Sequence, residues 1–181
     1  MEQSTLKAGG VCWDITDLYS APEDARIAHD IQRAVQKAES FNQTYHGKIT
    51  EAALTAQTLH HAILRLEEIY GLVMRPEVYA YLAFSSNTAD DQCKALYSKS
   101  QEAMARVQNL VLFFELEVQQ IAAEKFADLC QDAALQAYRH YLAGVRLFTP
   151  YTLSEKEEQI INKKDLTGKH TLVNFFDEYS S

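Results

Sequence analysis

Apolar residues recur every three or four positions along most of this chain, the spacing that gathers them on one face of an α-helix. Ile27, Ile31, Ala34, Val35, Ala38, Phe41 and Tyr45 form the first such stripe. Ser20-Ala21-Pro22-Glu23 reads as its start, with Ser20 as the cap, Pro22 in the first turn and Glu23 completing a capping box. Gly47 is a natural stop. A second stretch runs from about Thr55 into the mid-eighties, with Leu59, Ala62, Ile63, Leu66, Ile69, Tyr70 and Val73 on one stripe. Pro76 lacks a backbone donor and is expected to kink or split that helix after Met74. Beyond it, Val78-Tyr79-Ala80-Tyr81-Leu82-Ala83-Phe84 is apolar almost all round, which predicts a segment buried on most sides or packed between two layers.

Ser85-Ser86-Asn87-Thr88 breaks the pattern, and Thr88 or Asp90 caps the next helix. Leu96, Tyr97, Met104, Val107, Val111, Phe114, Val118 and Ile121 keep helical spacing, which predicts one uninterrupted rod on the order of 50 Å long. Shorter helices are expected near residues 124–129 and 135–147, and from a second capping box at Ser154-Glu155-Lys156-Glu157. Thr167-Gly168 interrupts, and a last helix carries Leu172, Phe175, Phe176 and Tyr179. At the other end, residues 1–12 read as a loose leader. Residues 13–19 are too short and irregular for a helix, and Trp13, Ile15 and Leu18 are expected to pin extended chain against helices. Neither a 34-residue repeat nor a sustained heptad organises the sequence.

Composition narrows the class without changing this picture. With 47% apolar and 23% charged residues, but only six glycines and three prolines in 181 residues, the expected fold is one all-α domain, a multi-helix array. The net charge of −8, with no basic run longer than Lys163-Lys164, argues against a nucleic-acid surface. No apolar run approaches the roughly 20 residues that span a bilayer, and residues 1–7 lack the apolar core of a secretory signal. Cys12, Cys93 and Cys130 are odd in number and widely spaced, which suits a reducing cytoplasm, and Cys93 and Cys130 read as small buried hydrophobes.

Candidate chemistry is sparse. His60-His61 and Glu67-Glu68 stand seven residues apart, about 10.5 Å along a helix, too far to share a zinc ion whose ligands lie about 2 Å from it. Arg139-His140 between Tyr138 and Tyr141 reads as an aromatic belt with a satisfied histidine. Glu155, Glu157 and Glu158 complement the positive end of a helix dipole. Nucleophile-elbow, phosphate-loop and dinucleotide-loop motifs are missing from the sequence. Tyr70, Tyr79, Tyr81, Phe84, Phe113 and Phe114 read as core, with the alternative that some line a peptide-binding channel.

Several longer stretches carry a resemblance. They are Trp13-Asp14-Ile15-Thr16-Asp17-Leu18-Tyr19, Phe113-Phe114-Glu115-Leu116-Glu117, and the run from Tyr138-Arg139-His140-Tyr141-Leu142 through Arg146-Leu147-Phe148-Thr149-Pro150 and Lys164-Asp165-Leu166-Thr167-Gly168 to Phe175-Phe176-Asp177-Glu178. Read together they resemble the amino-terminal part of the oligoendopeptidase F family, among the thimet-oligopeptidase-like zinc metallopeptidases. Tyr151, where histidine is expected, and Asn87-Thr88, where Asp-Thr is usual, depart from that pattern.

The resemblance implies an almost wholly helical enzyme of two lobes facing across a deep channel, with zinc held on the far wall by a His-Glu-x-x-His helix and a further glutamate. No histidine here is followed by glutamate. The chain is therefore expected to be the amino-terminal lobe, residues 13–181, of an enzyme whose catalytic zinc lobe is absent from it. None of the family's catalytic, cofactor-binding or metal-ligating residues maps onto a position here. The implied partners are oligopeptide substrates and the catalytic lobe, and the fragment alone is expected to be inactive. The ending at Tyr179-Ser180-Ser181 and the apolar segment 78–84 favour this over an autonomous helical interaction module without an enzyme attached. Self-association through the final helix is a further expectation, because apolar surface left without its partner drives association.

Overall fold

The computed structural model describes residues 14–180; residues 1–13, with the proposed leader, Trp13 and Cys12, lie outside them. The described residues are 78% helical and contain no strand. The helices are α1 (Ala25–Tyr45), α2 (Ala56–Ser86), α3 (Asp91–Val111), α4 (Phe113–Gln120), α5 (Ala123–Leu129), α6 (Arg139–Leu147), α7 (Glu155–Asp165) and α8 (Thr171–Ser180). Short 3-10 turns at Ala133–Tyr138 and Thr149–Tyr151 flank α6, and a π turn at Leu166–His170 joins α7 to α8. The start of the stretch predicted over 135–147, up to Tyr138, is thus a 3-10 turn, and the Thr167-Gly168 interruption is a widened turn.

Helices α1, α2 and α3 pack on one another and hold the main core, which α4, α5 and α6 complete from below with Phe113, Phe114, Val118, Leu129, Leu135, Leu142 and Val145. The predicted α2 stripe is the α2 contribution, with Leu59, Ala62, Ile63, Leu66, Ile69 and Val73 buried. A smaller cluster joins Tyr19 and Ile27 to Tyr79, Ala83, Phe84 and Cys93, with Ile15 and Leu18 packed against it as expected. Tyr19 is its anchor. Its hydroxyl donates to Asp30 at 2.8 Å, its ring meets Tyr79 edge-on, and the guanidinium groups of Arg26 and Arg75 lie 5.6 and 5.2 Å from its centroid.

Helix α1 starts later than the capping box predicts. Asp24, not Ser20, is the cap: its carboxylate accepts from Arg26 N, and also from the backbone N–H and hydroxyl of Ser20. Residues 20–23 form the turn that Asp24 closes. At its far end Gly47 adopts φ +79°, the left-handed stop predicted from the sequence. The second box fares better, since Glu157 accepts from both the backbone and the hydroxyl of Ser154. Asp90 caps α3, accepting from Gln92 N and Cys93 N.

Three expectations about the long elements change. Pro76 does not split α2, which runs 31 residues unbroken and is the longest helix. An internal proline costs about 3 kcal/mol, but α2 is buried against the main core up to Val73 and against the Tyr19 cluster from Tyr79 onward. Packing on both sides outweighs the lost hydrogen bond. Segment 78–84 is enclosed on one side only: Tyr79, Ala80, Ala83 and Phe84 are buried, whereas Val78, Tyr81 and Leu82 are exposed. Finally, the predicted third rod is interrupted at Leu112, and the Leu116 N–H reaches the Leu112 carbonyl at a stretched 3.5 Å. The adjacent Phe113 and Phe114 are 1% and 0% exposed, and both rings pack on Phe41, at 5.5 and 5.8 Å between centroids. Neighbouring residues on a regular helix point about 100° apart. Leu112 keeps helical angles, φ −51° and ψ −40°, so the hydrogen-bond ladder loosens there without turning the chain aside, while both rings seat against α1.

Glu117 adds a polar tie at the same place. Its carboxylate is buried at 8% exposure and accepts from Gly47 N at 2.6 Å and Ile49 N at 3.0 Å. Each buried backbone donor left without an acceptor costs about 1–3 kcal/mol. Glu117→Ala is therefore expected to destabilise the fold by about 3 kcal/mol, read as a lowered denaturation midpoint, while Glu117→Gln, which keeps one acceptor, loses less. Phe113→Ala is expected to cost about 3–5 kcal/mol through its cavity. A neutral Glu117→Ala would show that the turn does not need the carboxylate.

Candidate functional site

A concavity among the described residues lies where α7 crosses the α3–α4 junction. It encloses about 300 Å³ and is lined by Leu66 and Tyr70 from α2, by Gln108, Val111, Leu112 and Glu115 from the junction, and by Glu158, Ile161, Asn162 and Asp165 from α7. The interruption at Leu112 forms part of its floor. Helix α7 buries no residue of its own, and its place over α3 rests on polar contacts. Asn162 donates to the Asn109 side-chain carbonyl at 2.9 Å, and His46 lies 3.3 Å from Glu155.

Tyr70 lines this cleft beside Glu115, and Tyr141, outside the lining, contacts the same carboxylate. The Tyr141 hydroxyl donates to Glu115 at 3.1 Å. Burial, reinforced by the Glu115 charge, pushes the Tyr141 phenol far above its ordinary range. Burial and the same carboxylate push Tyr70 up to about 12. Nearby, Tyr138 donates to Glu67 at 2.8 Å, and that bond raises its phenol too. At neutral pH all three phenols are protonated, as tyrosines ordinarily are, and those of Tyr141 and Tyr138 are already donating to Glu115 and Glu67. With Glu115, Glu158 and Asp165 in the lining, the cleft presents carboxylate acceptors beside apolar walls. That chemistry suits a peptide backbone or a cationic group, and it lacks a paired nucleophile and base.

The histidines stand as their spacing predicts. His60 is half-buried with its ring 5.6 Å from that of Tyr138, and His61 is exposed. Glu67 is engaged by Tyr138 and Glu68 by Lys37, so this set does not offer zinc a ligand shell. Among the described residues no three histidine, cysteine or acidic side chains gather to hold a metal ion. The donor set therefore does not fit the zinc of the resembling family. Cys93 is buried as expected, but Cys130 is only half-buried, because its carbonyl, at the end of α5, is turned to Arg139. Burial pushes both thiols up, away from reactive thiolate.

Of the six aromatic residues weighed between core and channel, Tyr79, Phe84, Phe113 and Phe114 are core, Tyr70 lines the cleft, and Tyr81 is exposed beside Tyr97. His140 is exposed rather than enclosed in an aromatic belt. Sequence reasoning did not find Glu115, Asn162 or Asp165 as cleft residues. Glu115 and Asp165 stand in stretches that carry the family resemblance, but nothing local marks them, or Asn162, as neighbours across a cleft.

Tyr70 gives this geometry a test in alkali. Its phenol ordinarily titrates near 10 and here near 12, so the folded state favours the protonated form. The stability that this contributes is complete below pH 10 and is lost as pH rises towards 12. Tyr70→Phe is expected to leave stability at pH 7 little changed and to flatten its decline between pH 10 and 12, measured by chemical denaturation across that range. An unchanged alkaline slope would place Tyr70 in solvent.

Comparison with known proteins bears on the same region. No curated protein and no solved structure matches the chain. A sequence model for the family described as oligopeptidase F, covering its amino-terminal region, matches residues 117–181. That stretch begins at the clamp residue Glu117 and runs through α5, α6 and α7 to the end of α8, taking in one wall of the cleft. Over this carboxy-terminal third, the chain is similar to the amino-terminal region of the oligopeptidase F peptidases, the family its sequence resembles.

Proposed function

We propose that residues 13–181 form the amino-terminal, channel-forming lobe of a zinc-dependent oligopeptidase, preceded by a leader over residues 1–12. In this reading the lobe supplies one wall of a channel that admits short unfolded peptides and excludes folded proteins, and the complete protein works in the cytoplasm. The zinc ion, its ligands and the water-activating glutamate belong to a catalytic lobe outside these residues. The observation that carries the proposal is the oligopeptidase F match over residues 117–181. The all-helical array supports it, as does a cleft that sets Tyr70 and carboxylate acceptors beside apolar walls, groups that suit an extended peptide. No helix among the described residues is long and apolar enough to cross a membrane.

A second reading, an autonomous helical interaction module, draws on the exposed apolar face of α8. The reading frame beyond Ser181 separates the two: a His-Glu-x-x-His helix some distance downstream supports the peptidase, and an immediate stop supports the module. For the 181-residue chain alone, both hydrolysis of a fluorogenic oligopeptide and calorimetric zinc binding are expected to be null. A tight one-to-one zinc site, or peptide cleavage by the isolated chain, would overturn the assignment of catalysis to another lobe.

A further inference from the structure

Of Tyr70, Tyr138 and Tyr141, only Tyr70 lines the cleft under α7, and its phenol is the one left unspent. Tyr141 donates to Glu115 and Tyr138 to Glu67. The half-buried Tyr70 makes no hydrogen bond among the described residues, although it lies close enough to Glu115 to feel its charge. A polar group partly withdrawn from water costs free energy until water or a ligand satisfies it.

The acceptors beside it are incompletely used as well. Asp165 on α7, half-buried, has no partner among the described residues. Glu115 accepts from Tyr141, and Glu158 accepts from the Leu153 backbone N–H at 3.1 Å. A carboxylate offers about four acceptor positions, so each has capacity to spare. None of the described residues lining the concavity is basic, so three negative charges meet there without a cation to balance them. Yet no three acidic side chains among the described residues converge closely enough to hold a metal ion. A bare ion is thus a poor fit. A cation carried on an organic body, within reach of one or two of the carboxylates, suits the set.

We propose that the concavity receives the amino terminus of a peptide: its ammonium group among the carboxylates of Glu115, Glu158 and Asp165, its first carbonyl accepting from the Tyr70 hydroxyl, and its first side chain against Leu66 and Ile161. An amino-terminal residue matches this lining because it carries a cation, a neighbouring acceptor and a side chain on one small frame. A lysine or arginine side chain brings its cation at the end of a long stem with no carbonyl beside it, and leaves Tyr70 unanswered. The enclosed volume of about 300 Å³ lies at the lower end of ligand sites, so it admits roughly one or two residues rather than a long segment. The inference rests on the reading of this chain as the peptide-binding lobe of an oligopeptidase, and adds which end of the peptide is held here.

Fluorescence anisotropy tests it, with the 181-residue chain titrated from low micromolar to near-millimolar concentration against a short peptide. The probe has a leucine at its free amino terminus, no basic side chain and a neutral dye at its carboxy end, and its N-acetylated form is the control. The free peptide is expected to bind at least about tenfold more tightly than the acetylated one. Its affinity should fall as pH rises through about 8, where an α-amino group loses its proton, while that of the acetylated peptide holds steady. Tyr70→Phe and Asp165→Asn are each expected to weaken binding of the free peptide roughly threefold to tenfold. Their thermal midpoints at neutral pH should stay near the parent's, because neither group has a partner to lose. Asp165→Asn should also narrow the gap between the two peptides. Equal binding of free and acetylated peptides overturns the proposal while leaving a peptide-binding lobe in place. So does affinity unchanged in both variants, or tighter binding of an N-acetylated peptide that carries an internal lysine. Absence of any binding at the highest concentration overturns it too, whereas a stop codon directly after Ser181 tells separately against the peptidase reading.

Discussion

The carboxylate of Glu117, shut away from water between two backbone N–H groups some 70 residues earlier in the chain, is the contact on which much of this structure depends. Past the end of helix α1, Gly47 adopts the left-handed region, and the N–H groups of Gly47 and Ile49, on either side of Lys48, point inward. They need an acceptor there, and α4 brings it. The same helix seats Phe113 and Phe114 on Phe41, so its position is set by a polar and an apolar constraint together. The later elements of the chain hang from α4. Arg146 donates to the carbonyls of Val118 and Ile121, Gln119 donates to Val145, and Thr152 donates to Gln119. Helix α6 and the connection into α7 are thereby tied to a helix that is itself tied to the α1–α2 turn.

How far the sequence discloses this depends on the range of each interaction. Burial repeats with the helical period, so the stripes of α1 and α2 and the cap Asp90 are readable from nearby residues. Asp24 is misread because Ser20 and Glu23 offer a local alternative, and the carboxylate that wins also closes the preceding turn. Pro76 is misread because a local rule meets a helix held at both ends by cores the rule does not see. The interruption at Leu112 has no local signature at all, since Phe113-Phe114 tells nothing of the ring on α1 that accepts both. Glu117 stands inside the most family-like run of the middle of the chain, yet its task is invisible without Gly47 and Ile49 beside it.

The cleft has the same character. Tyr70 belongs to a stripe read mainly as core, Glu115 to a helix read as continuous, and Asn162 to a charged helix read as solvated. Only the crossing of α7 over α3 makes them neighbours. The family match covers α7 but neither α2 nor α3. The concavity is thus shared between the part of the chain with a recognisable relative and the part without one. Burial beside one carboxylate, rather than any motif, raises the phenols of Tyr70 and Tyr141 that meet there.

Pro76 has a consequence for how the molecule yields. It stands on α2 between the last main-core residue, Val73, and the first residue of the Tyr19 cluster, Tyr79. At that point the helix lacks one of its backbone hydrogen bonds, so the continuous element carries a seam where two packing units meet. Opening of the smaller unit, which frees Tyr19, the start of α1 and the last turns of α2, can stop at the seam without unwinding the turns that hold Leu59 to Val73. Amides beyond Pro76 then exchange with solvent as one cooperative group, at a lower free energy than those before it. The residue that local rules mark as a break in shape is a break in cooperativity instead.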